Sequence, residues 1–584
     1  MNTSTRWAQA VVDGLASAGV AHVVIAPGSR STPLAAAILA DSRLHANSVI
    51  DERAAAFFAL GIARASGRPA AAVCTSGSAG AHFLPAVLEA EASFTPLILL
   101  TADRPWELQH CGAAQTVDQL ALFGGHVRFF AALGTPEDDD ACIAAARRVA
   151  VQAVVASSFP TPGAVHLNVP FCPPLEPDSS SDDICAAEVS GRDAQVSVAP
   201  WAFTPVTMPS EEAIAALAAA CRAARRGLVV AGPAPATAAP RLREAAARFC
   251  AATGFPLLAE VTSQLGCPLR GVATLPGFDV VLGHPATRAG LRPDLVISLG
   301  AAPVSRQFGA ALETWDQPPH WVIAAHGWND PHATARDLIL AAPAAVLAAV
   351  AERIDRSPVD SAWASWVFAV STAARSGLAA AVGGRVLTEV AVANTVRRHV
   401  GAAATLVVGN SLPVRDLDLG AEAMAAVVIH QRGAAGIDGL VAGACGVAEV
   451  AVGPVVVLVG DVSLSHDLTS LALAAQAPAP LAIVVLDNGG GRIFDLLPVA
   501  SAGIDLANWR TPPRIDWAAA AATFNVPHVR VTTVAELTEA LAASDERPGA
   551  TLIQAVVAGE DVAPERARLR AAVAARLDAL APAP

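Results

Sequence analysis

The 584-residue chain reads as an α/β protein of three doubly wound parallel-sheet domains. Three observations predict this. Short apolar runs of strand length alternate with helical patterns throughout. Many of these runs break at a glycine- or serine-bearing turn that leads into a helix, as in VVIAPGSRSTPL, RGLVVAGPAPAT and TLVVGNSLPVRDL. Composition also shifts at about residues 176–200, where EPDSSSDD reads as a linker, and more softly near 352–385, around RIDRSPVD and AVGGRV. The cuts give segments 1–180, 200–350 and 380–584, each long enough to bury its own core.

In order along the chain, MNTSTRWAQAVVDGL carries Asp13 inside an apolar pattern and lacks a basic start. It reads as an amphipathic helix, not a signal peptide. VVIAPGSRSTPL is a strand, a Gly-Ser turn and a helix. In VIDERAAAFFALG, Glu52 ends a strand-like run and starts an apolar helix. AAAVCTSGSAG and PLILLTAD are further strands with a helix between them. The middle segment repeats the strand–glycine–helix pattern in RGLVVAGPAPAT, FPLLAEVTSQLG and LVISLGAAPVS. The third segment resembles the first in layout, with TLVVGNSLPVRDL, VVVLVGDVS, a helix and PLAIVVLDN. Thr75 to Thr101 and Asp461 to Asp487 both span 26 residues. That spacing fits a duplicated domain, and it also fits α/β folds in general.

A net charge of −13 and the lack of any basic run argue against a nucleic-acid surface. Mean hydropathy is +0.46, largely from alanine. The apolar runs are broken by Gly, Pro or charge, so no membrane span of about 20 residues is expected. Nine cysteines without a CxxC pair read as free thiols of a reducing cytoplasm. The sequence contains no lysine and no tyrosine. Schiff-base chemistry and a Walker-type phosphate loop are thereby excluded. Every permanent cation is an arginine, the better fork for planar carboxylates.

The most informative stretch runs from Asp461 to Asn488, 27 residues apart. VVVLVGD and LAIVVLDN read as adjacent buried parallel strands ending in a carboxylate and an amide. Open α/β sheets bind ligands at this edge. Mg²⁺ takes a few oxygen ligands together with phosphate oxygens. Gly489, Gly490 and Gly491 let the backbone approach closely, and the next helix N-terminus can face an anion. This is the diphosphate–metal half of a thiamine diphosphate site, if the other half can be found. The other half needs a carboxylic acid against a pyrimidine nitrogen, and Glu52 is the candidate. On its own, an acid in a first helical turn merely serves the helix dipole; the clamp makes the functional reading the better one. Such a cofactor also needs a bulky wedge between its rings. Ile437 in RGAAGIDG is placed for that, although without the family pattern it reads as core packing.

IAPGSRSTPL, IDER, TADRPWEL, CGAAQ, GNSLPVRDLD, RGAAGIDG, VGDVSLSHDL and NGGGRIFDLLP occur in this order. Together they resemble one thiamine-diphosphate family, the 2-succinyl-5-enolpyruvyl-6-hydroxy-3-cyclohexene-1-carboxylate synthases of menaquinone biosynthesis. The resemblance is strong in both outer segments and weak in the middle. It implies pyrimidine-binding, central and diphosphate-binding domains. It implies decarboxylation of 2-oxoglutarate and 1,4-addition of the succinyl-semialdehyde carbanion to isochorismate. It implies thiamine diphosphate and Mg²⁺, with Mn²⁺ able to substitute. Glu52 would activate the pyrimidine and Ile437 would be the wedge. Asp461, Asn488 and the Gly490 carbonyl would hold the metal. Backbone amides near Val462, Ser463, Ile493 and Phe494 would cradle the diphosphate. Arg30, Arg104, Arg306, Arg415 and Arg432 would bind the polyanionic substrates, with Ser29, Gln115 and Ser411 adding hydrogen bonds. In related enzymes the Glu-bearing domain of one subunit faces the metal-bearing domain of another, which implies at least a homodimer, or a homotetramer.

Some positions depart from the family pattern. Ala114 stands where an asparagine usually precedes the glutamine, and His430 and Gln431 replace a Ser-Asn pair. Asp487 and His82 each replace a common asparagine. Competing readings are another thiamine-dependent 2-oxoacid decarboxylase or acetolactate-synthase-like enzyme, and a catalytically silent scaffold of the same fold. The arginine set disfavours the first, because those donors carry one carboxylate. The intact Glu52, Asp461 and Asn488 disfavour the second. A nucleotide-binding oxidoreductase would need a GxGxxG turn, and GSRSTP is not one.

Overall fold

The computed structural model describes residues 2–177, 202–382, 386–557 and 562–584. The linker read at about 176–200 falls almost wholly outside these. The chain forms two compact units: Met1–Pro205 with Gln431–Ala451 and Asp467–Ala477, and Val206–His430 with Val452–His466 and Pro478–Pro584. The units therefore cut across the third sequence segment.

The first unit holds a six-stranded sheet of β1 (His22–Ile25), β2 (His45–Ser48), β3 (Ala70–Cys74), β4 (Leu97–Asp103), β5 (Phe129–Ala132) and β6 (Ala164–Pro170), in the order β2-β1-β3-β4-β6-β5. All its pairings are parallel. The second unit holds two sheets. One contains β7 (Gly227–Ala231), β8 (Leu257–Ala259), β9 (Leu295–Leu299), β10 (His320–Ala324) and β11 (Asp337–Leu340), ordered β11-β10-β9-β7-β8. The other contains β12 (Thr405–Val408), β13 (Val427–His430), β14 (Val455–Gly460), β15 (Pro480–Asp487), β16 (His528–Val531) and β17 (Gly549–Val556), ordered β13-β12-β14-β15-β17-β16. These are parallel as well. The first and third sheets share one strand order, matching the layout that the sequence repeats. Central strands such as β14 are buried along nearly their whole length, the pattern of parallel strands covered on both faces.

Three local expectations are revised. The strand before Glu52 ends at Ser48, and Asp51 is a helix N-cap whose carboxylate accepts from the Arg53 and Ala54 amides. The soft boundary near 352–385 is occupied by a helix over Ser361–Val382. The helix expected after Asp461 is broken into Asp461–His466, a 3₁₀ turn at Leu468–Ser470 and Leu471–Ala474. The break has a cause inside the first unit. Asp467 Oδ2 accepts the Val441 and Ala442 N–H groups at 2.8 and 3.0 Å, and Oδ1 accepts the Ser470 hydroxyl at 2.9 Å. Asp467 thus caps a neighbouring helix instead of continuing its own.

Among the described residues one helix, Asp140–Ser158, is long and apolar enough by composition to cross a membrane, an exception to the sequence expectation. It carries Arg147, whose Nε lies 2.7 Å from Asp13 on the Thr3–Ser17 helix, and its apolar side joins the first unit's core. A packed core helix meets the same test.

The Glu52–Ser66 helix crosses the Leu440–Val450 helix at backbone contact. A Cβ at Gly61 would lie 1.9 Å from the Gly443 carbonyl oxygen, and one at Gly446 would lie 2.0 Å from that of Phe58. Only glycine lets the helices approach this closely. Gly61→Ala is therefore expected to destabilise the first unit by about 1–3 kcal/mol. Thermal denaturation monitored by circular dichroism checks it.

Candidate functional site

Parallel pairing of β14 with β15 sets Gly460 opposite Leu486, so both strands deliver their next residues to one sheet edge. Asp461 is 1% exposed there. Its Oδ1 accepts the Val462 N–H at 2.7 Å and its Oδ2 the Gly490 N–H at 2.7 Å. Burial, aided by the Asp487 charge, pushes the Asp461 carboxyl up to about 6, against the pull of these amide donors. Asn488 donates its Nδ2 to Glu389 Oε1 at 3.2 Å, while its buried Oδ1 has no hydrogen-bond partner. Gly490 adopts φ +109°, and a Cβ there would lie 2.2 Å from the Arg510 carbonyl oxygen. Its own carbonyl accepts the Arg492 N–H at 2.7 Å.

A hard cation fits this donor set. A buried amide oxygen without a partner carries a desolvation cost that a cation would relieve. Among the described residues no group of three or more His, Cys, Asp or Glu could hold a metal. A cation at Asp461 and Asn488 would accordingly draw further ligands from backbone carbonyl and phosphate oxygens. Ser463 is buried in the Asp461–His466 helix. Ile493 and Phe494 lie in the 3₁₀ turn Arg492–Leu496, where the Phe494 N–H donates to the Gly491 carbonyl at 3.2 Å. The Val462 and Phe494 amides are thus engaged within the chain, and cradling a diphosphate would exchange those bonds.

In the same unit, Ser411 and Arg415 follow β12. Ser411 holds φ +69° as the N-cap of Leu412–Asp418, a strained conformation of the kind that clusters at functional sites. Arg415 sits in the last turn of that helix and donates to the Ser411 carbonyl at 2.6 Å. Arg306 is exposed at the first position of Arg306–Thr314.

The first unit gathers another set. Ser29 and Arg30 form a 3₁₀ turn after β1. Arg30 is 6% exposed, donates Nη1 to the Phe171 carbonyl at 2.7 Å and leaves a buried Nε without a partner. Burial, and then the charge of Arg104, lower the Arg30 pKa from its usual value. Two like charges brought together favour an anion between or beside them. Arg104 grips the Ala114 carbonyl through Nε and Nη2 at 3.3 and 3.2 Å. That contact uses backbone, so the Ala114 departure leaves it intact. Gln115 holds φ +55° and donates to the Ser76 carbonyl at 3.2 Å. Glu52 opens its helix, close enough to buried Cys74 that its charge, after burial itself, pushes that thiol up. Arg432 and Ile437 lie on the loop between β13 and the Leu440–Val450 helix, Ile437 half-buried. Gln431 donates Nε2 to the Asp438 carbonyl at 3.0 Å and so closes this loop.

Asp487 is also accounted for. Its Oδ2 accepts the Gln554 Nε2 at 2.7 Å from the neighbouring β17, and its charge acts on Asp461. Sequence reasoning missed Glu389. It is 2% exposed, and it orients Asn488 from 99 positions away, with no motif to mark it.

Comparison with known proteins identifies the family. Residues 5–122 match the family model for a thiamine pyrophosphate enzyme, N-terminal TPP binding domain. Residues 197–408 match the middle domain of thiamine pyrophosphate, and 426–555 the C-terminal TPP binding domain. A protein of Sorangium cellulosum (strain So ce56), named 2-succinyl-5-enolpyruvyl-6-hydroxy-3-cyclohexene-1-carboxylate synthase, is 46% identical over 100% of this chain and 97% of its own length. The chain belongs to that synthase family. Synthases of the same name from Halobacterium salinarum (strain ATCC 29341 / DSM 671 / R1) and Rubrobacter xylanophilus (strain DSM 9941 / JCM 11954 / NBRC 16129 / PRD-1) are 38% and 39% identical, each over 97% of this chain and 98% of its own length. As the sequence resemblance implied, the synthase family brings three thiamine-enzyme domains in order, each with a parallel sheet.

Asn488→Leu keeps the size of the side chain and removes the orphan oxygen. It is expected to fold and to weaken Mg²⁺-dependent thiamine diphosphate binding by about tenfold or more, measured by tryptophan fluorescence quenching. Asp461 should also set a pH dependence. A carboxyl raised to about 6 in the folded state lends the cofactor-free protein stability at low pH, lost as pH rises through that value. A cation reverses the penalty on the ionised form. The gain in melting temperature from Mg²⁺ plus thiamine diphosphate should therefore be larger at pH 7.5 than at pH 5.5, which differential scanning fluorimetry reads.

Proposed function

We propose that this protein is a transferase, a thiamine-diphosphate-dependent carboligase. It would decarboxylate 2-oxoglutarate and join the resulting four-carbon unit to isochorismate. The products are CO₂ and 2-succinyl-5-enolpyruvyl-6-hydroxy-3-cyclohexene-1-carboxylate. The single observation that carries the reading is 46% identity over the whole chain to a synthase of that name, with Glu52, Asp461 and Asn488 all present.

When bound, thiamine diphosphate supplies a nucleophilic thiazolium carbon and an electron sink for 2-oxoacid decarboxylation. Asp461, Asn488 and the Gly490 carbonyl would hold Mg²⁺, with Mn²⁺ an acceptable substitute, and amides near Val462, Ser463, Ile493 and Phe494 would face the diphosphate. Glu52 is assigned the proton exchange at the pyrimidine nitrogen, and Ile437 the wedge. Arg30, Arg104, Arg306, Arg415 and Arg432 are assigned to the substrate carboxylates, since guanidinium forks pair with carboxylates in two-point fashion and favour developing negative charge. The buried Nε of Arg30 supports its place in that set. Ser29, Gln115 and Ser411 would orient the substrates by hydrogen bonds.

The family also supports a homodimer or homotetramer with active sites at subunit interfaces. Eight described cysteines, all free thiols, suit a reducing cytoplasm.

The test follows isochorismate absorbance. Purified protein with thiamine diphosphate, Mg²⁺ and 2-oxoglutarate should consume isochorismate, and omission of any one should stop it. CO₂ release from pyruvate without isochorismate loss would overturn the substrate assignment. Glu52→Gln should retain partial cofactor binding and lose 2-oxoglutarate decarboxylation by about 100-fold or more. Near wild-type turnover would remove Glu52 from its role.

A further inference from the structure

We propose that Glu89 is a positioning residue that holds the RGAAGIDG loop in its working shape, and with it Arg432 and Ile437. The proposal rests on the functional reading above. Glu89 lies on the Leu84–Ala92 helix and is 2% exposed. Its carboxylate accepts three consecutive backbone amides, from Gly433 at 3.0 Å, Ala434 at 2.7 Å and Ala435 at 3.2 Å. Successive N–H groups converging in this way form an anion nest. Here the anion is a side chain of the same chain, so the nest is filled permanently and fixes the loop.

The carboxylate has a fourth partner, the guanidinium of Arg64, which also donates to Ser93 Oγ at 2.9 Å. Arg64 is in the last turn of the helix that begins at Glu52. One buried ion pair therefore links the loop of Arg432 and Ile437 to the helix that presents Glu52. Glycine at 433 is forced by this contact. A Cβ there would lie 2.9 Å from the Glu89 carbonyl oxygen and 3.0 Å from its Oε1. The turn is completed by Ala435 at φ +60° and closed by Gln431 on the Asp438 carbonyl. Arg432 directly precedes the three clamped residues, and Ile437 follows two positions after them.

Glu89→Gln preserves shape but offers one acceptor oxygen where two were used, and it aims an NH₂ at backbone donors. It also leaves Arg64 buried without its counter-charge. A displacement of the loop on the order of 1 Å can cost activity far beyond its cost in stability.

The experiment compares wild type with Glu89→Gln and Glu89→Asp. It measures melting temperature, thiamine diphosphate affinity by tryptophan fluorescence, and KM and kcat at saturating cofactor. Glu89→Gln should raise the cofactor Kd and the 2-oxoglutarate KM by about tenfold each and lower kcat. Glu89→Asp, which keeps the charge, should recover part of each loss. A lowered melting temperature with wild-type Kd, KM and kcat would overturn the proposal and leave Glu89 a purely structural residue. If Glu89→Gln does not fold, Gly433→Ala lifts the loop off Glu89 while the ion pair stays, and unchanged Kd and KM in that variant would overturn it equally. Should wild type turn over neither substrate, the functional reading fails, and the cofactor Kd still decides the role of Glu89.

Discussion

The Asp461 carboxylate ties the ends of two parallel strands together. One oxygen holds the amide of the residue after it, and the other reaches the Gly490 amide beyond β15. That bridge depends on the β14–β15 register and on the positive φ of Gly490. It fixes the glycine turn, and the turn places Asn488 with its amide oxygen buried and unmatched. Glu389 sets which end of that amide is free. That unmatched oxygen carries a desolvation cost that a divalent cation would relieve without an all-protein cage.

The first unit orders cationic groups. With no lysine in the chain, this falls to arginine. The Arg30 and Arg104 guanidinium groups donate to backbone carbonyls, of Phe171 and of Ala114. The Glu52 helix is anchored by the glycine crossing, by the Arg64–Glu89 pair and by the Arg53–Asp467 pair. Rigid support of this kind fixes the orientation of the Glu52 helix in advance.

The fold and the pairing of the Asp461 and Asn488 strands were legible in the sequence for a physical reason. Buried parallel strands must be continuously apolar, so an acid or amide at the end of such a run stands out. VVVLVGD and LAIVVLDN could be placed side by side on that basis alone. The supporting residues were not legible. Glu89 reaches its partners across 344 positions and Glu389 across 99, and neither distance leaves a periodic trace. The broken helix after Asp461 was missed because Asp467 serves the cap of another element. Three departures from the family pattern have local partners that a side-chain reading alone does not show. Ala114 acts through its carbonyl, Gln431 closes its loop, and Asp487 is matched by Gln554.

The central claim is that the Asp461–Asn488 edge holds thiamine diphosphate through a divalent cation. Isothermal titration calorimetry of the wild-type protein with thiamine diphosphate, in the presence of Mg²⁺ and again with the cation chelated, tests it directly. Binding that needs the cation, with Mn²⁺ restoring it, is the predicted result. Equal affinity with and without a divalent cation, or no binding under either condition, would contradict it.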